Sequence, residues 1–262
     1  MIGTWTWRRA LAVGVGVILL YGIFLLATLP ATWLSKPVSQ ATRGTLHLLY
    51  VDGTAWSGNG RLAMGKTTAR ELGQIHWSIN PLWLVLGRVQ LNVKLTGATT
   101  GQGQLQLGYR TLTLKDFDVA LPAEIAAALY SPAAFVSPKG FVRLRTGRLD
   151  ASGKGLNGNA EIFWNDASAR LSGDAPLGDY RLDLAGNGEN AQLSLATVSG
   201  RLQLSGQGQW QTTTGNVRFQ GSASASDPSL GALLNILGPD QGGGRRALSA
   251  NLTLPIANFL LP

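Results

Sequence analysis

The run 10–29 holds twenty residues without one charged side chain, and it constrains this chain more than any other feature. As an α-helix it would extend about 30 Å, which matches the hydrocarbon core of a bilayer. Arg8 and Arg9 directly precede it and no acidic residue lies upstream, so the positive-inside rule predicts a cytoplasmic N-terminus and an exported remainder. The run is longer than the apolar part of a signal peptide and lacks a small-x-small cleavage site, so we expect an uncleaved transmembrane helix.

The rest of the chain is predicted to form one domain close to the membrane. Residues 1–9 are expected to form the cytoplasmic N-terminus, 10–29 the transmembrane helix, 30–43 a short connector and 44–262 an exported β-rich domain. Pro30 is expected to end the helix near the membrane surface. Because the connector is too short for a flexible tether, the domain should stay beside the bilayer.

Charge and cysteine content exclude some classes of protein. The chain carries 22 Lys and Arg against 14 Asp and Glu, but after the apolar run the basic residues are scattered singly, with Arg245-Arg246 the only adjacent pair. This distribution is typical of a solvated surface, and a nucleic-acid partner is not expected. The chain has no cysteine, which excludes a disulfide-stabilised scaffold.

Short alternating segments follow the apolar run at regular spacing. Apolar residues alternate with polar ones in 75–79, 89–95, 105–109 and 180–184, and many of the 34 glycines fall between such segments. Strands of about five to eight residues every 9–12 positions predict an all-β antiparallel fold of many short strands. The alternation allows a curved sheet, a sandwich or a partly open barrel. A change of parity between Tyr109 and Leu112 further predicts a turn or bulge there.

Two short helices are predicted to interrupt the strands. The segment 122–129 opens with proline, and 227–239 combines an Asp cap, a proline at the first position and a leucine stripe. That stripe should pack on the sheet; its members are Leu230, Leu233, Leu234 and Leu237. The run Leu82–Leu86 is apolar on both faces but far too short to span a membrane.

The residues that usually carry catalysis are scarce. The only histidines are His47 and His76, and neither has the spacing of a metal-binding motif. Asp116 and Asp118 could form a carboxylate pair, but no accompanying acid or base group suggests more than a solvated strand face. We therefore predict that the protein is not an enzyme and uses no cofactor or metal.

The order of several segments resembles a known family. The segments after the apolar run are 53–58 (GTAWSG), 77–83 (WSINPLW), 87–88 (GR), 160–164 (AEIFW), 176–182 (PLGDYRL), 200–210 (GRLQLSGQGQW) and the leucine-rich helix before Gly238. This order is similar to the type II secretion system protein N family, an accessory inner-membrane component of Gram-negative bacteria. The resemblance implies a part of the machine that moves folded exoproteins from the periplasm across the outer membrane. It also implies a periplasmic domain, other inner-membrane subunits and membrane lipid as partners, and no catalytic residues.

Six residues in the matching segments are candidate interaction or motif residues: Trp56, Gly58, Trp77, Pro81, Trp83 and Gly87. Tryptophans on strands are typical of a core or a sheet face, and glycines are often required by backbone geometry. Trp56 and Trp83 are the two expected to reach a partner, because Trp83 follows a proline break and Trp56 lies between glycine-bounded turns.

Two functions remain open. The first is a structural or assembly role within the secretion machine, and the second is a lipid-binding or lipid-bridging role with an apolar trough. A continuous apolar groove open to solvent would favour lipid as a ligand, whereas a filled core would favour the scaffold.

Overall fold

The computed structural model of the chain describes residues 3–42, 44–65, 70–129, 137–169, 175–254 and 256. The N-terminal helix α1 spans Gly3–Ala27. Its window Ala10–Ala27 has a mean hydropathy of 2.6, and no part of that window is buried inside the protein. By length and composition, α1 can cross a membrane. Helix α1 ends three residues before Pro30, and a short 3₁₀ helix at Ala31–Leu34 and α2 at Ser35–Ala41 follow.

Fourteen strands make up most of the remaining described residues. They are β1 (Leu46–Gly53), β2 (Ser57–Met64), β3 (Arg70–Ile79), β4 (Val89–Gly97), β5 (Thr100–Gly108), β6 (Thr111–Pro122), β7 (Lys139–Ser152), β8 (Gly155–Ser168), β9 (Gly178–Gly188), β10 (Asn190–Gly200), β11 (Leu202–Gln211), β12 (Asn216–Ala225), β13 (Asp240–Gly242) and β14 (Arg245–Thr253).

All fourteen strands belong to one open antiparallel sheet. Strands β1 to β12 pair with their sequence neighbours in order, β14 then pairs with β12, and the short β13 lies outside β14. Successive hairpins bring consecutive strands together without long crossovers. The predicted all-β antiparallel class is confirmed, and of the three architectures that the alternation allowed, the chain adopts the single open sheet.

The two faces of the sheet differ in chemistry. Directly paired residues lie on one face, so the register traces each face across the strands. One face carries Val119, Leu144, Ile162, Leu182 and Leu195, which are paired in that order across β6 to β10. The adjacent positions carry Asp118, Arg145, Glu161, Asp183 and Ser194, paired in the same order. We call these the apolar face and the polar face.

The sheet curves around its apolar face. Helix α3 (Ala123–Leu129) follows β6, yet its buried Ile125 packs with Leu48, Leu62 and Leu72 of β1, β2 and β3. In a flat sheet β1 and β6 would lie about 24 Å apart, since neighbouring strands are separated by about 4.8 Å. Because Ile125 and Leu48 belong to one buried cluster, the sheet curls with the apolar face inside.

Three apolar clusters fill parts of this concave face. The first joins α4 (Gly231–Leu237) and the turn before it to β9, β11 and β12 through Leu230, Leu234, Tyr180, Leu202 and Ala223. The second is the cluster around Ile125, to which α2 adds Val38. The third gathers Ala151, Leu156, Ala191 and Ile256 at the other end of the strands. Within the first cluster, burial raises the pKa of Tyr180 to about 12, and its hydroxyl donates to the Leu202 carbonyl oxygen at 3.0 Å.

Both predicted helices form, and the structure adds further helical segments. The second helix begins as a 3₁₀ turn at Pro228–Leu230, where the Asp227 side chain accepts from the Ser229 amide at 2.9 Å, and continues as α4. Segments that the sequence did not predict to be helical are α2, the 3₁₀ helix Ala31–Leu34 and a 3₁₀ helix at Pro81–Leu86.

A turn and a bulge keep the apolar side chains of β5 and β6 on one face of the sheet. The predicted turn near Arg110 is the tight β5–β6 connection. A second parity change, between Leu114 and Phe117, is accommodated at Asp116, whose φ of 44° lies in the left-handed region. The register of β5 and β6 shifts at that point, so Asp116 is the extra residue of a β-bulge.

Candidate membrane-proximal interaction surface

One end of the sheet lies beside the C-terminal end of α1. Strand β1 runs towards this end, so the β1–β2, β3–β4 and β5–β6 connections all lie there, because consecutive strands are antiparallel. We call this the helix-proximal end. It contains the turn 54–56, the segment 80–88 and the turn 109–110.

Hydrogen bonds tie α1 directly to the β1–β2 turn. The Trp56 indole Nε1 donates to the Leu26 carbonyl oxygen at 2.7 Å, and the Ala55 amide donates to the Leu29 carbonyl oxygen at 2.8 Å. Pro30 also forms an isolated bridge with Thr54. Leu26 belongs to the last turn of α1, where carbonyls lack partners within the helix, so the Trp56 indole caps α1. The Ala55 bond holds the segment that follows the helix.

Trp77 braces the same turn from β3. Its ring is 3% exposed, and its Nε1 donates to the Ala55 carbonyl oxygen at 3.3 Å. Gly58 leaves room for this ring, since a Cβ there would lie 2.5 Å from Trp77 Cζ2. Gly58 is therefore required by the close approach of an aromatic ring to the backbone.

The β3–β4 connection is a closed 3₁₀ turn at Pro81–Leu86. The Asn80 side chain accepts from the Leu82 amide at 3.1 Å, and Gly87 ends the turn with a φ of 65°. The Gly87 amide donates to the Leu84 carbonyl oxygen at 2.9 Å, and the Arg88 amide to the Trp83 carbonyl oxygen at 3.0 Å. The backbone of this turn is thus largely satisfied internally.

The turn exposes leucines rather than its tryptophan. Leu82 is 74% exposed and Leu86 is 68% exposed, whereas the Trp83 side chain is half-buried. Leu84 is also exposed. We call Leu82, Leu84 and Leu86 the leucine turn. A cluster of exposed leucines on an ordered backbone is typical of a surface that another apolar phase covers.

The structure brings all six candidate residues to the helix-proximal end. Trp56, Gly58 and Trp77 form the junction with α1, and Pro81, Trp83 and Gly87 form the neighbouring turn. The two groups are adjacent because the Ile79 amide donates to the Trp56 carbonyl oxygen at 2.6 Å. Their role as interaction residues stays a prediction. The exposed leucines were not among the candidates, although the Asn80-Pro81 start and Gly87 end are signals of a helical turn.

The polar face carries a ladder of paired charges. Arg143 donates two hydrogen bonds to the Asp118 carboxylate, at 2.6 and 2.7 Å, and these bonds lower the pKa of Asp118. Arg181 bonds Glu161 at 2.7 Å and Asp183 at 2.8 Å. These carboxylates are paired with arginines on a solvated face, an arrangement that is typical of surface ion pairs.

Residues that could bind a metal ion do not cluster in the described part of the chain. Within the described ranges, no group of three or more His, Asp or Glu side chains could hold a metal ion. His76 is exposed and its Nδ1 lies 2.6 Å from the Asn59 Oδ1. A groove of about 770 Å³ on the polar face is lined mainly by amide and charged side chains such as Gln192, Gln207 and Arg218. These groups can bind a partner through hydrogen bonds, but they form no nucleophile with an adjacent base.

Comparison with known protein families gives a match over most of the chain. The model of the family described as type II secretion system (T2SS), protein N matches residues 44–249, which is most of the 262-residue chain. No curated protein and no solved structure matches the chain. The match covers almost the whole sheet, including all six candidate residues, and family membership makes the protein a component of type II secretion. The chain belongs to the type II secretion system protein N family.

Proposed function

We propose that the protein is a non-catalytic, accessory inner-membrane subunit that supports the export of folded exoproteins by the type II secretion machine. In this proposal α1 spans the inner membrane once, residues 1–9 are cytoplasmic and the domain 44–262 is periplasmic. The subunit binds other inner-membrane subunits of the machine. The family match carries the proposal, since it covers the whole domain apart from its last residues.

The junction with α1 supports a positional role. Two backbone carbonyls of the α1 end, those of Leu26 and Leu29, accept hydrogen bonds from the β1–β2 turn, so the sheet has a defined orientation on its anchor. An anchored domain meets other membrane subunits at a high effective concentration, and this lowers the intrinsic affinity that assembly needs. A domain with a defined orientation also presents the same edge of its sheet to each of these membrane subunits.

A lipid-carrying role has less support. The apolar face is concave, but α2, α3, α4 and Ile256 fill much of it, as expected of a scaffold. The grooves found among the described residues are lined mainly by the polar face, including the one between Asn59, Arg61 and Lys94. No observation favours a lipid ligand over the scaffold, and we do not propose one.

The topology is tested with a reporter that is active only outside the cytoplasm. Alkaline phosphatase fused to the C-terminus of the full chain is expected to be active, because Arg8 and Arg9 favour a cytoplasmic N-terminus. As a control, the same fusion to a chain with residues 10–29 deleted should be made at similar levels and be inactive. An inactive full-length fusion would contradict the topology, and a mature N-terminus near Thr28 would contradict the uncleaved anchor.

A further inference from the structure

The helix-proximal end carries a second apolar surface besides α1. Leu82 and Leu86 of the leucine turn are 74% and 68% exposed, and Tyr109 of the next connection is 84% exposed. The β3–β4 and β5–β6 connections lie close together, because a Cβ added at Gly108 would lie 3.7 Å from Arg88 Cγ. The exposed apolar groups are therefore neighbours on one end of the sheet.

This surface is continuous with the end of α1. Leu26 lies within the apolar window of α1, and its carbonyl oxygen accepts a hydrogen bond from the Trp56 indole. The carbonyl oxygen of Trp56 in turn accepts a hydrogen bond from the Ile79 amide. Ile79 is only two residues before Pro81. If α1 spans a bilayer, Trp56 therefore lies at the headgroup level, and the leucine turn lies beside it at a similar depth.

The chemistry of this end suits a lipid surface. The backbone groups of the turn are bonded within the turn, so they need no water when its side chains enter an apolar layer. At the three connections of this end, the exposed charged side chains are the basic Arg88 and Arg110 and the acidic Asp52. A basic surplus around an apolar turn favours anionic headgroups.

We propose that the leucine turn inserts into the interfacial layer of the same bilayer that α1 spans, so that the sheet stands with its helix-proximal end on the membrane. This inference rests on the proposed anchoring of α1. Two contacts on one membrane restrain the tilt of the domain, whereas a single helix leaves it free to tilt.

The chain has no cysteine, so single-cysteine variants of the full-length protein can be labelled uniquely. Nitrobenzoxadiazole is attached at Leu82→Cys, at Leu20→Cys inside α1 and at Ala98→Cys in the exposed β4–β5 turn at the opposite end of the sheet. The proteins are reconstituted into phosphatidylethanolamine and phosphatidylglycerol vesicles. Quenching of each label is then measured with lipids that carry a nitroxide either near the headgroup or deep in the acyl chain, and with iodide in the buffer.

We expect lipid nitroxides near the headgroups to remove about half of the emission at Leu82→Cys, with little quenching by iodide. The Ala98→Cys label should show the reverse. Adding Leu86→Asp should reduce lipid quenching at Leu82→Cys, because a charge opposes insertion and Leu86 is too exposed to support the core.

The labels at positions 82, 20 and 98 distinguish a failure of the inference from a failure of the proposed anchor. If Leu20→Cys is quenched by lipid while Leu82→Cys behaves like Ala98→Cys, the inference is wrong and the anchor stands, which leaves the leucine turn free for a protein partner. If Leu20→Cys is not quenched by lipid, the anchor itself is overturned, and the membrane contact of the turn with it.

Discussion

Leu234→Asp is expected to destabilise the domain by several kcal/mol, because it places a carboxylate in the largest apolar cluster. Leu234 belongs to helix α4 and is buried in a cluster that includes Tyr180 and Leu202 of the sheet. The new carboxylate must either remain charged without a partner or take up a proton, and both cost free energy. Thermal unfolding of the full-length protein in detergent micelles measures the change as a lower midpoint.

Ile236→Asp is the matched control for this substitution. Ile236 lies two residues away on α4 and is 67% exposed. The same charge at this position should change the free energy of unfolding by no more than about 0.5 kcal/mol. Equal midpoints for the two variants would mean that α4 does not pack on the sheet.

Gly58→Ala is expected to cost about 1–3 kcal/mol, although adding a methyl group to a strand glycine usually stabilises. A Cβ at this position would lie 2.5 Å from both the Asp52 carbonyl oxygen and the Trp77 ring. Neither the β1 backbone nor a ring that is 3% exposed can move without disturbing the junction with α1. The measurement is again the unfolding midpoint, together with the tryptophan emission spectrum.

Gly147→Ala on β7 provides the comparison. Nothing lies within 4 Å of the position that its Cβ would occupy. The substitution should therefore leave the midpoint unchanged or raise it slightly. If Gly58→Ala were as stable as Gly147→Ala, the packing of Trp77 against the β1–β2 turn would be contradicted.

The strand pattern predicts much of the fold because a half-buried sheet imposes a period of two on its residues. That period identified the antiparallel class and the turn near Arg110, and the cap and leucine spacing identified the helix after Asp227. Architecture was harder to predict, since strands of a sandwich, a barrel and a curved sheet alternate in the same way. The deciding observation is a buried cluster that contains both Ile125 and Leu48, which are far apart in sequence.

The junction could be predicted only in part. Resemblance selected Trp56, Gly58 and Trp77, but nothing local in the sequence indicates that the Trp56 indole reaches the Leu26 carbonyl oxygen. The exposed leucines were missed for a similar reason. An apolar run such as Leu82–Leu86 fits a buried strand as well as an exposed turn, and only its position at a sheet end distinguishes them.

In-cell crosslinking tests the central claim, that this protein is a scaffold of the secretion machine, most directly. A photoreactive residue is placed at Tyr50, which is 78% exposed on the edge strand β1, in a full-length chain that replaces the chromosomal copy. Exoprotein retained in the periplasm of a deletion strain is measured in parallel. We predict crosslinks to other inner-membrane subunits of the type II machine and impaired secretion in the deletion strain. Normal secretion, together with crosslinks to lipid and to no secretion subunit, would contradict the account.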